Sequence, residues 1–395
     1  MYENMVYLIV ALVLCTILIA VFVALRWLQG KSDAIGAGSD ALSRDALSYY
    51  FIINSTKSWA NDVEDHIRAY FMTKSISAPN FLYTSRNSRG TDEAETALKE
   101  GADVIIAVGG DGTVRNVLKP LVGTNKVLGV IALGSGNILA RNVGLHIPSK
   151  NLNHLHEALD VILHGSIKKI DLGFLSLNSA VEHVVLTIAG AGFDAEMIGA
   201  TNDDVKRKFG FFAYFAAALK IFRTKKMHID IELINPVLDA ETPIESRNSD
   251  TNSSSNVIKL DDIQCRTVMV ANCGKLPMLT LAHDAKIDDN LLDIVIVDTN
   301  AGLLGWLFLV LKIFVTRGRE ADSFAKISKV TRYQATRAKI AMNRDVLVQS
   351  DGELLGLYSQ LDAKIIHEAV NLLIPKTKVD SLNTSTVVKY KEAEK

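Results

Sequence analysis

Cysteine is scarce: the 395-residue chain holds three, Cys15, Cys265 and Cys273. Cys15 falls inside an apolar N-terminal run, so at most one pair is left. That excludes a disulfide framework and fits a reducing compartment. There is no CxxC and no HExxH, and the nine histidines are scattered, so zinc-type ligation does not organise this chain. An excess of one charge is also missing. The formal net charge is -1, without the basic surplus of nucleic-acid-binding domains. Two phosphate-binding fingerprints are absent as well: GxxxxGK(S/T) of P-loop NTPases and GxGxxG of dinucleotide-binding folds. No internal repeat is visible. The length suits two domains plus an appendage, and the hydrophobic fraction of 48% suits globular domains with one extra apolar segment.

That segment runs from Met5 to Leu25, with Thr16 as its one clear polar break. It matches the roughly 20 residues a helix needs to cross the hydrocarbon core. Glu3 precedes it, and Arg26, Trp27 and Lys31 follow. The flanking charges predict an uncleaved single-pass membrane anchor with the rest of the chain cytoplasmic. A cleaved signal peptide would have a basic start and a shorter apolar core.

Residues 31–46 read as a Gly/Ser-rich linker. The apolar run Tyr49–Ile53, the strand-like segments Asn80–Ser85, Asp103–Val108 and Val127–Leu133, and the helical spacing at Ser58–Met72 and Thr91–Glu100 alternate. This pattern predicts an α/β, doubly wound parallel sheet over 47–165. From 166 to 375 the texture changes to strands separated by turns: Ser166–Asp171, Val181–Ala189, Met227–Leu233, Gln264–Ala271, Leu292–Val297, Lys339–Ala341 and Val346–Gln349. That predicts an antiparallel β-sandwich. Two helices are expected within it, Phe209–Phe222 and Gly305–Val315. The second is too short to span a bilayer, and either lies on one, lines an acyl pocket or packs on the sandwich. The basic groups Lys206–Lys208 and Arg223–Lys226 either meet anionic lipid or form a solvated face. Residues 239–256 read as a polar surface insertion and 376–395 as a loose tail.

The sharpest chemical signal is Gly109-Gly110-Asp111-Gly112-Thr113, between a strand and a helix. Glycines at such a turn let backbone N–H groups approach phosphate, and the helix N-terminus adds partial positive charge. Asp111 supplies a hard oxygen ligand suited to magnesium. A second loop, Gly134-Ser135-Gly136-Asn137, follows the next strand. Two loops at the carboxyl ends of neighbouring strands would line one crevice.

These two loops, followed by Ser350-Asp351-Gly352-Glu353, resemble in that order the diacylglycerol kinase catalytic family. That family includes bacterial diacylglycerol kinases, sphingosine and ceramide kinases and, more distantly, NAD kinases and phosphofructokinases. Further matches are Ala189–Ala195, Phe209-Gly210 with Ala213-Tyr214, and Asp288–Asp293. The resemblance runs from about Tyr49 to Pro375.

The resemblance implies ATP and Mg2+ in an interdomain cleft. Gly109, Gly110, Asp111, Gly112 and Thr113 would hold the phosphates, with Asp111 near the metal. Asn116, Gly134, Ser135, Gly136 and Asn137 would complete the nucleotide site. The turn Asn54, Ser55, Thr56, Lys57 corresponds to the family's first nucleotide loop, but lacks its proline and glycine. Asp351 and Glu353 match the late acidic motif, in which the glutamate is the general base; taken alone, that tetrapeptide is also a polar hairpin turn. Asp289, with the carbonyls of Lys286 and Leu291, matches a second magnesium site. There Asn290 replaces a glycine. The bacterial members point to a homodimer.

The expected activity is therefore phosphoryl transfer from ATP to a membrane lipid hydroxyl, with diacylglycerol the default acceptor and phosphatidic acid the product. The alternatives are a kinase for another lipid alcohol, sphingoid or phosphatidylglycerol-like, or a non-catalytic nucleotide or lipid sensor at the membrane. No nucleic acid is expected.

Overall fold

The computed structural model describes residues 47–376, apart from 86, 149–151, 153, 180, 201–224, 238–255, 274, 277–278, 281–285 and 300–327. The first half alternates strand and helix and ends in two helices: β1 (Tyr49–Ile53), α1 (Ala60–Thr73), β2 (Asn80–Tyr83), α2 (Thr91–Lys99), β3 (Val104–Gly109), α3 (Asp111–Leu118), β4 (Val127–Ala132), α4 (Ile138–Asn142) and α5 (Leu155–His164). The second half holds β5 (Ser166–Leu177), β6 (Val181–Val185), β7 (Ile188–Gly192), α6 (Phe193–Gly199), β8 (Met227–Val237), β9 (Val257–Cys265) and β10 (Thr267–Ala271). The short pair β11 (Lys275–Leu276) and β12 (Leu279–Thr280) follows, then β13 (Leu292–Thr299), β14 (Ser328–Ser350) and β15 (Glu353–Ile374).

Strands β2, β1, β3 and β4 lie side by side and parallel. Every residue of β1, β3 and β4 is buried, as expected of strands covered by helices on both faces. Their side chains form one core with α1 and α5, in which Tyr49 and Phe51 meet the Phe71 ring edge-on. A second core of Val, Ile, Leu and Ala from β5, β7, β8, β10, β13, β14 and β15 supports the antiparallel part.

Two expectations about the second half change. The strands expected at 339–341 and 346–349 belong to one long strand, β14, bent between Ala341 and Val346. Its partner β15, 22 residues long, was not anticipated, because its apolar positions are interrupted by Lys364, His367 and Glu368. The halves are also not separate sheets. Asn371 and Leu372 of β15 pair in parallel with Val127 and Leu128 of β4, which joins both halves into one mixed 13-stranded sheet, with the β11–β12 pair apart from it. The result is a two-domain α/β fold with two cores on a shared sheet.

The single-pass membrane placement is corrected. Among the described residues no helix is long and apolar enough to cross a membrane. The longest helix named above, α1, has 14 residues; at 1.5 Å per residue it spans about 21 Å, short of a bilayer core of about 30 Å. The anchor expected at Met5–Leu25, the helices at 209–222 and 305–315, and nearly all of the 239–256 insertion and the 376–395 tail lie outside the described residues. So do Lys206–Lys208 and Arg223. Lys226 is described, and it is paired with Asp298 at 2.7 Å. Cys265 and Cys273 are both buried free thiols.

Candidate active site

Three loops leave the carboxyl ends of β1, β3 and β4, where ligands bind in open α/β sheets. The first closes on its own side chains. Asn54 Oδ1 accepts hydrogen bonds from the N–H and hydroxyl of Thr56, at 3.1 and 2.7 Å, while Asn54 Nδ2 donates to Thr113 Oγ1 at 2.9 Å. Ser55 Oγ donates to the Thr84 carbonyl at 2.5 Å, and Lys57 is exposed. An Asx-type turn thus replaces the missing Pro and Gly and ties this loop to the glycine loop.

The glycines of these loops are needed for close packing. A Cβ on Gly134 would stand 2.5 Å from the Gly110 Cα, and one on Gly136 would stand 2.8 Å from Asp111 Oδ2. The second and third loops therefore pack backbone to backbone, and glycine is needed for that contact. Of the glycines in these two loops, Gly112, in the first turn of α3, is the one that faces open space on the side a Cβ would occupy. Asp111 bridges the loops: its Oδ2 accepts the Asn137 N–H at 2.8 Å and its Oδ1 the Ile138 N–H at 2.7 Å. It caps α4, which no residue of its own segment caps. Burial pushes its carboxyl upward, the two amides oppose that, and the nearby Asp351 charge adds to it. Asn137 sits in left-handed backbone, φ 50°, with its amide side chain bonded to both N–H and C=O of Gly134. Ser135 is exposed. Asn116 is buried, with Oδ1 accepting from Lys119 Nζ at 3.1 Å.

The β14–β15 hairpin brings the acidic motif to this edge from the other half of the chain. Asp351, at φ 49°, receives the N–H groups of Leu186, Thr187 and Ile188 and the Thr187 hydroxyl, at 2.7 to 3.1 Å. It shapes the turn. Gln349 adds a second brace, accepting the Gly352 N–H and donating to the buried Asp194 carboxylate, each at 3.0 Å. Glu353 then reaches across the domain boundary. One oxygen meets Arg115 Nη2 and the other lies 2.6 Å from Arg89 Nη1. Arg115 is buried and also donates to the Ser350 carbonyl at 2.8 Å. Burial alone would raise the Glu353 carboxyl, but Arg115 and then Arg89 overcome that and hold it below its ordinary value. Lys119 and His183 are both lowered, first by burial and then by neighbouring cations.

Arg89, Arg115 and Thr187 were missed by sequence reasoning. An arginine in a short helix looks solvent-facing; the one available signal was that Arg115 lies between apolar Val114 and Val117, a stretch the fold buries entirely.

The other expected metal position lies elsewhere. Asp289 is half-buried in the turn before β13, its Oδ1 accepting the Leu291 N–H at 3.1 Å, with Lys286 exposed at the start of the turn. Beneath it the buried Asp171 binds the Asn290 N–H at 2.6 Å and His367 Nδ1 at 2.8 Å. Among the described residues no three His, Cys, Asp or Glu side chains converge as a metal site.

A parallel nucleotide-type sheet joined to an antiparallel sandwich, with an acid delivered from the second half onto a glycine loop of the first, defines the class of a two-domain phosphotransferase. Residues 48–175 match the diacylglycerol kinase catalytic domain, and residues 187–374 the YegS C-terminal NAD kinase beta sandwich-like domain. Together the two matches cover most of the chain and align it with the diacylglycerol kinase catalytic family; it spans less than two thirds of the length of the first relatives it matches. An uncharacterized protein of Synechocystis sp. is 26% identical over 330 residues; this chain spans 65% of that protein's length and 79% of its own. A diacylglycerol kinase of Staphylococcus aureus is 28% identical over 277 residues, 69% of this chain and 75% of that one. The crystal structure of a diacylglycerol kinase from Bacillus anthracis superposes with a TM-score of 0.56 at 15% identity, covering 83% of this chain and 96% of that one, a likeness of fold.

Proposed function

We propose that this chain is an ATP-dependent lipid kinase that moves the γ-phosphate of ATP to a lipid hydroxyl, with diacylglycerol as acceptor and phosphatidic acid as product. The observation that carries this reading is the meeting of Glu353, on β15, with Arg115, on the helix that starts at the glycine loop. Phosphoryl transfer asks for positioned phosphates, charge neutralisation and a carboxylate at the acceptor hydroxyl. In the step, the hydroxyl proton goes to Glu353 and the acceptor oxygen bonds to the γ-phosphorus. The bond from that phosphorus to its bridging oxygen breaks, releasing ADP.

The residues present fit a phosphorylated ligand. The open side of Gly112 lies in the first turn of α3, whose N–H groups have no carbonyl four residues back. The loops at 54–57, 109–113 and 134–137, with Asn116 beside them, would hold the nucleotide. Magnesium, when bound, would neutralise phosphate charge. Each Asp111 oxygen accepts one N–H in the hydrogen bonds above and retains a lone pair for a cation. Asp351, held by four donors of the 186–188 segment, is assigned to positioning Glu353. For the second cation we assign Asp289 with the carbonyls of Lys286 and Leu291. In support, the Asp289 carboxyl is raised by burial and by the Asp293 and Asp171 charges, a crowding that a cation would relieve.

The test is transfer of labelled phosphate from ATP, with magnesium, to diacylglycerol, a sphingoid base and phosphatidylglycerol in mixed micelles, for the native chain and Glu353→Gln. Labelled phosphatidic acid, lost in the variant, is expected. A product on another lipid replaces the acceptor assignment. No product on any lipid, with nucleotide still bound, sinks the kinase reading.

A further inference from the structure

Beside the Glu353 carboxylate the fold gathers more positive charge than one carboxylate can use. Arg89, Lys119, Asn116, Thr91 and Glu353 line a polar recess of about 540 Å³ between the two halves. Arg115 backs it from within. Its side chain is 6% exposed, and its Nε is buried without an acceptor. A guanidinium removed from water to this degree normally has its donors satisfied. Here the chief anionic partner is Glu353, itself 41% exposed, which fills only part of the fork. Arg89 reaches the same carboxylate from a left-handed backbone conformation, φ 50°, that a non-glycine residue keeps only where its surroundings impose it. Lys119 Nζ has a neutral amide oxygen as its hydrogen-bond partner, Asn116 Oδ1. Three cations therefore face one carboxylate in the recess. The nearby Asp351 is engaged by four donors of the 186–188 segment.

We propose that Glu353 occupies a phosphate-binding site in the resting chain: Arg89, Arg115 and Lys119 form a three-cation recess that takes a phosphate group, which displaces Glu353 from the two guanidiniums. A phosphate offers several oxygens in the geometry an arginine fork matches, and its second negative charge answers the cationic excess that one carboxylate leaves. The Arg89–Glu353 pair is exposed and such pairs are weak, while the buried Arg115 is not left unpaired, because the phosphate takes the place of the carboxylate. The displacement would also release Glu353 from the cations that hold its carboxyl low, leaving it a better proton acceptor.

Two sources can supply that phosphate. One is the terminal phosphate of a nucleotide held at the glycine loop, since Arg115 sits one helical turn after Asp111 on α3. The other is the headgroup of an anionic phospholipid. The inference rests on the kinase reading for the choice between these sources and for the use of the freed base; anion binding itself does not depend on it.

The experiment titrates the full chain with inorganic phosphate, with ATP, and with phosphatidylcholine vesicles with and without phosphatidylglycerol. The native chain is compared with Glu353→Gln, Lys119→Gln, Arg115→Gln and Arg115→Lys, each checked for its unfolding midpoint. Glu353→Gln should bind inorganic phosphate roughly tenfold more tightly, because the competing carboxylate is gone, a change of about 1.4 kcal/mol. Lys119→Gln and Arg115→Gln should bind it roughly tenfold more weakly, with Arg115→Lys in between. A purely structural Glu353 would give unchanged or weaker binding on substitution, and that result overturns the proposal. So does unchanged phosphate binding in Lys119→Gln, which keeps the test valid should Arg115→Gln not fold. If the weakening recurs with ATP, the nucleotide is the source; if it recurs with phosphatidylglycerol vesicles alone, the lipid is. Recurrence with neither refutes the site. No acceptor lipid is phosphorylated in these titrations. A chain with the expected pattern that transfers no phosphate sinks the kinase reading alone, and an active chain without the pattern sinks this inference alone.

Discussion

Replacing Asp111 by asparagine separates its two candidate roles, phosphate-site ligand and loop brace. Its two oxygens accept the Asn137 and Ile138 N–H groups at 2.8 and 2.7 Å. Hydrogen bonds to a charged group contribute about 1.5–3 kcal/mol each. Asparagine keeps one acceptor and turns an NH2 group against the other N–H, so one bond is lost and the survivor loses its charge. Burial raises the carboxyl, which means the charged form is disfavoured by desolvation, and the neutral amide escapes that cost. The net destabilisation should therefore fall near about 2 kcal/mol. With a urea dependence of about 2–3 kcal/mol per molar, the midpoint should move by just under about 1 M. Equilibrium urea unfolding followed by far-UV circular dichroism reads the shift, and amide exchange at Asn137 and Ile138 locates it. An unchanged midpoint with full protection at both amides would refute the bracing argument and leave Asp111 to the ligand alone.

Two further outcomes follow from the same geometry. The folded-state pKa of Glu353 lies below the ordinary 4.5, so between the two values the unfolded chain binds more protons and stability rises with pH. The contribution is complete above the ordinary value and lost as pH falls through the lowered one. Glu353→Gln should flatten that part of the acid limb in urea midpoints recorded across pH, and an unchanged limb would show that the ion pairs carry no linkage. Thr187→Val removes a fully buried hydroxyl that donates to Asp351 at 2.7 Å and should cost about 1–2 kcal/mol. It should also lower phosphate transfer by shifting the turn that carries Glu353; a loss of stability with no change in transfer would mean that the turn does not position the base.

The parts of this molecule that were legible in its sequence are those with local signals. The strands β1, β3 and β4 announce themselves because a strand buried on both faces must be apolar at every residue, and the glycine loops because a tight contact admits no other side chain. The polar turn at 350–353 was legible as a turn and, through its order after the two loops, as part of one family pattern. The remainder depends on contacts between distant segments. The apolar Val114 and Val117 are the one local hint that Arg115 is buried, and its partner, the Ser350 carbonyl, comes from the β14–β15 hairpin of the other half. The polar residues Lys364, His367 and Glu368 hide β15 from pattern reading, yet each has a partner: Glu182, Asp171 and Lys169 respectively. Asp111 shows a different limit. Its residue type and place suggested a ligand, and nothing local showed that its oxygens also hold one loop against the next.

The continuity of β15 bears on how such a site can open. The strand begins at Glu353 and, near its far end, pairs with β4, the strand that leads into the 134–137 loop. Glu353 and the loops after β1, β3 and β4 are thus attached to one hydrogen-bonded sheet, and a hinge that swung the halves apart would have to break the β15–β4 pairing. The irregularity between Ile366 and Val370, with Glu368 at φ 50°, bends the strand just before that junction, yet its pairing with β5 resumes at Val370 and runs on to Ile374. Large closure is therefore costly here, in contrast to kinases whose domains move as separate bodies. A site whose walls are fixed must admit its ligand by moving side chains. The side chains poised to move are the half-exposed Glu353 and the exposed Arg89, while Arg115 stays anchored to the Ser350 carbonyl. The ion pair at the mouth of the recess then does what a lid does elsewhere: it keeps the carboxylate neutralised until a phosphate of higher charge takes its place.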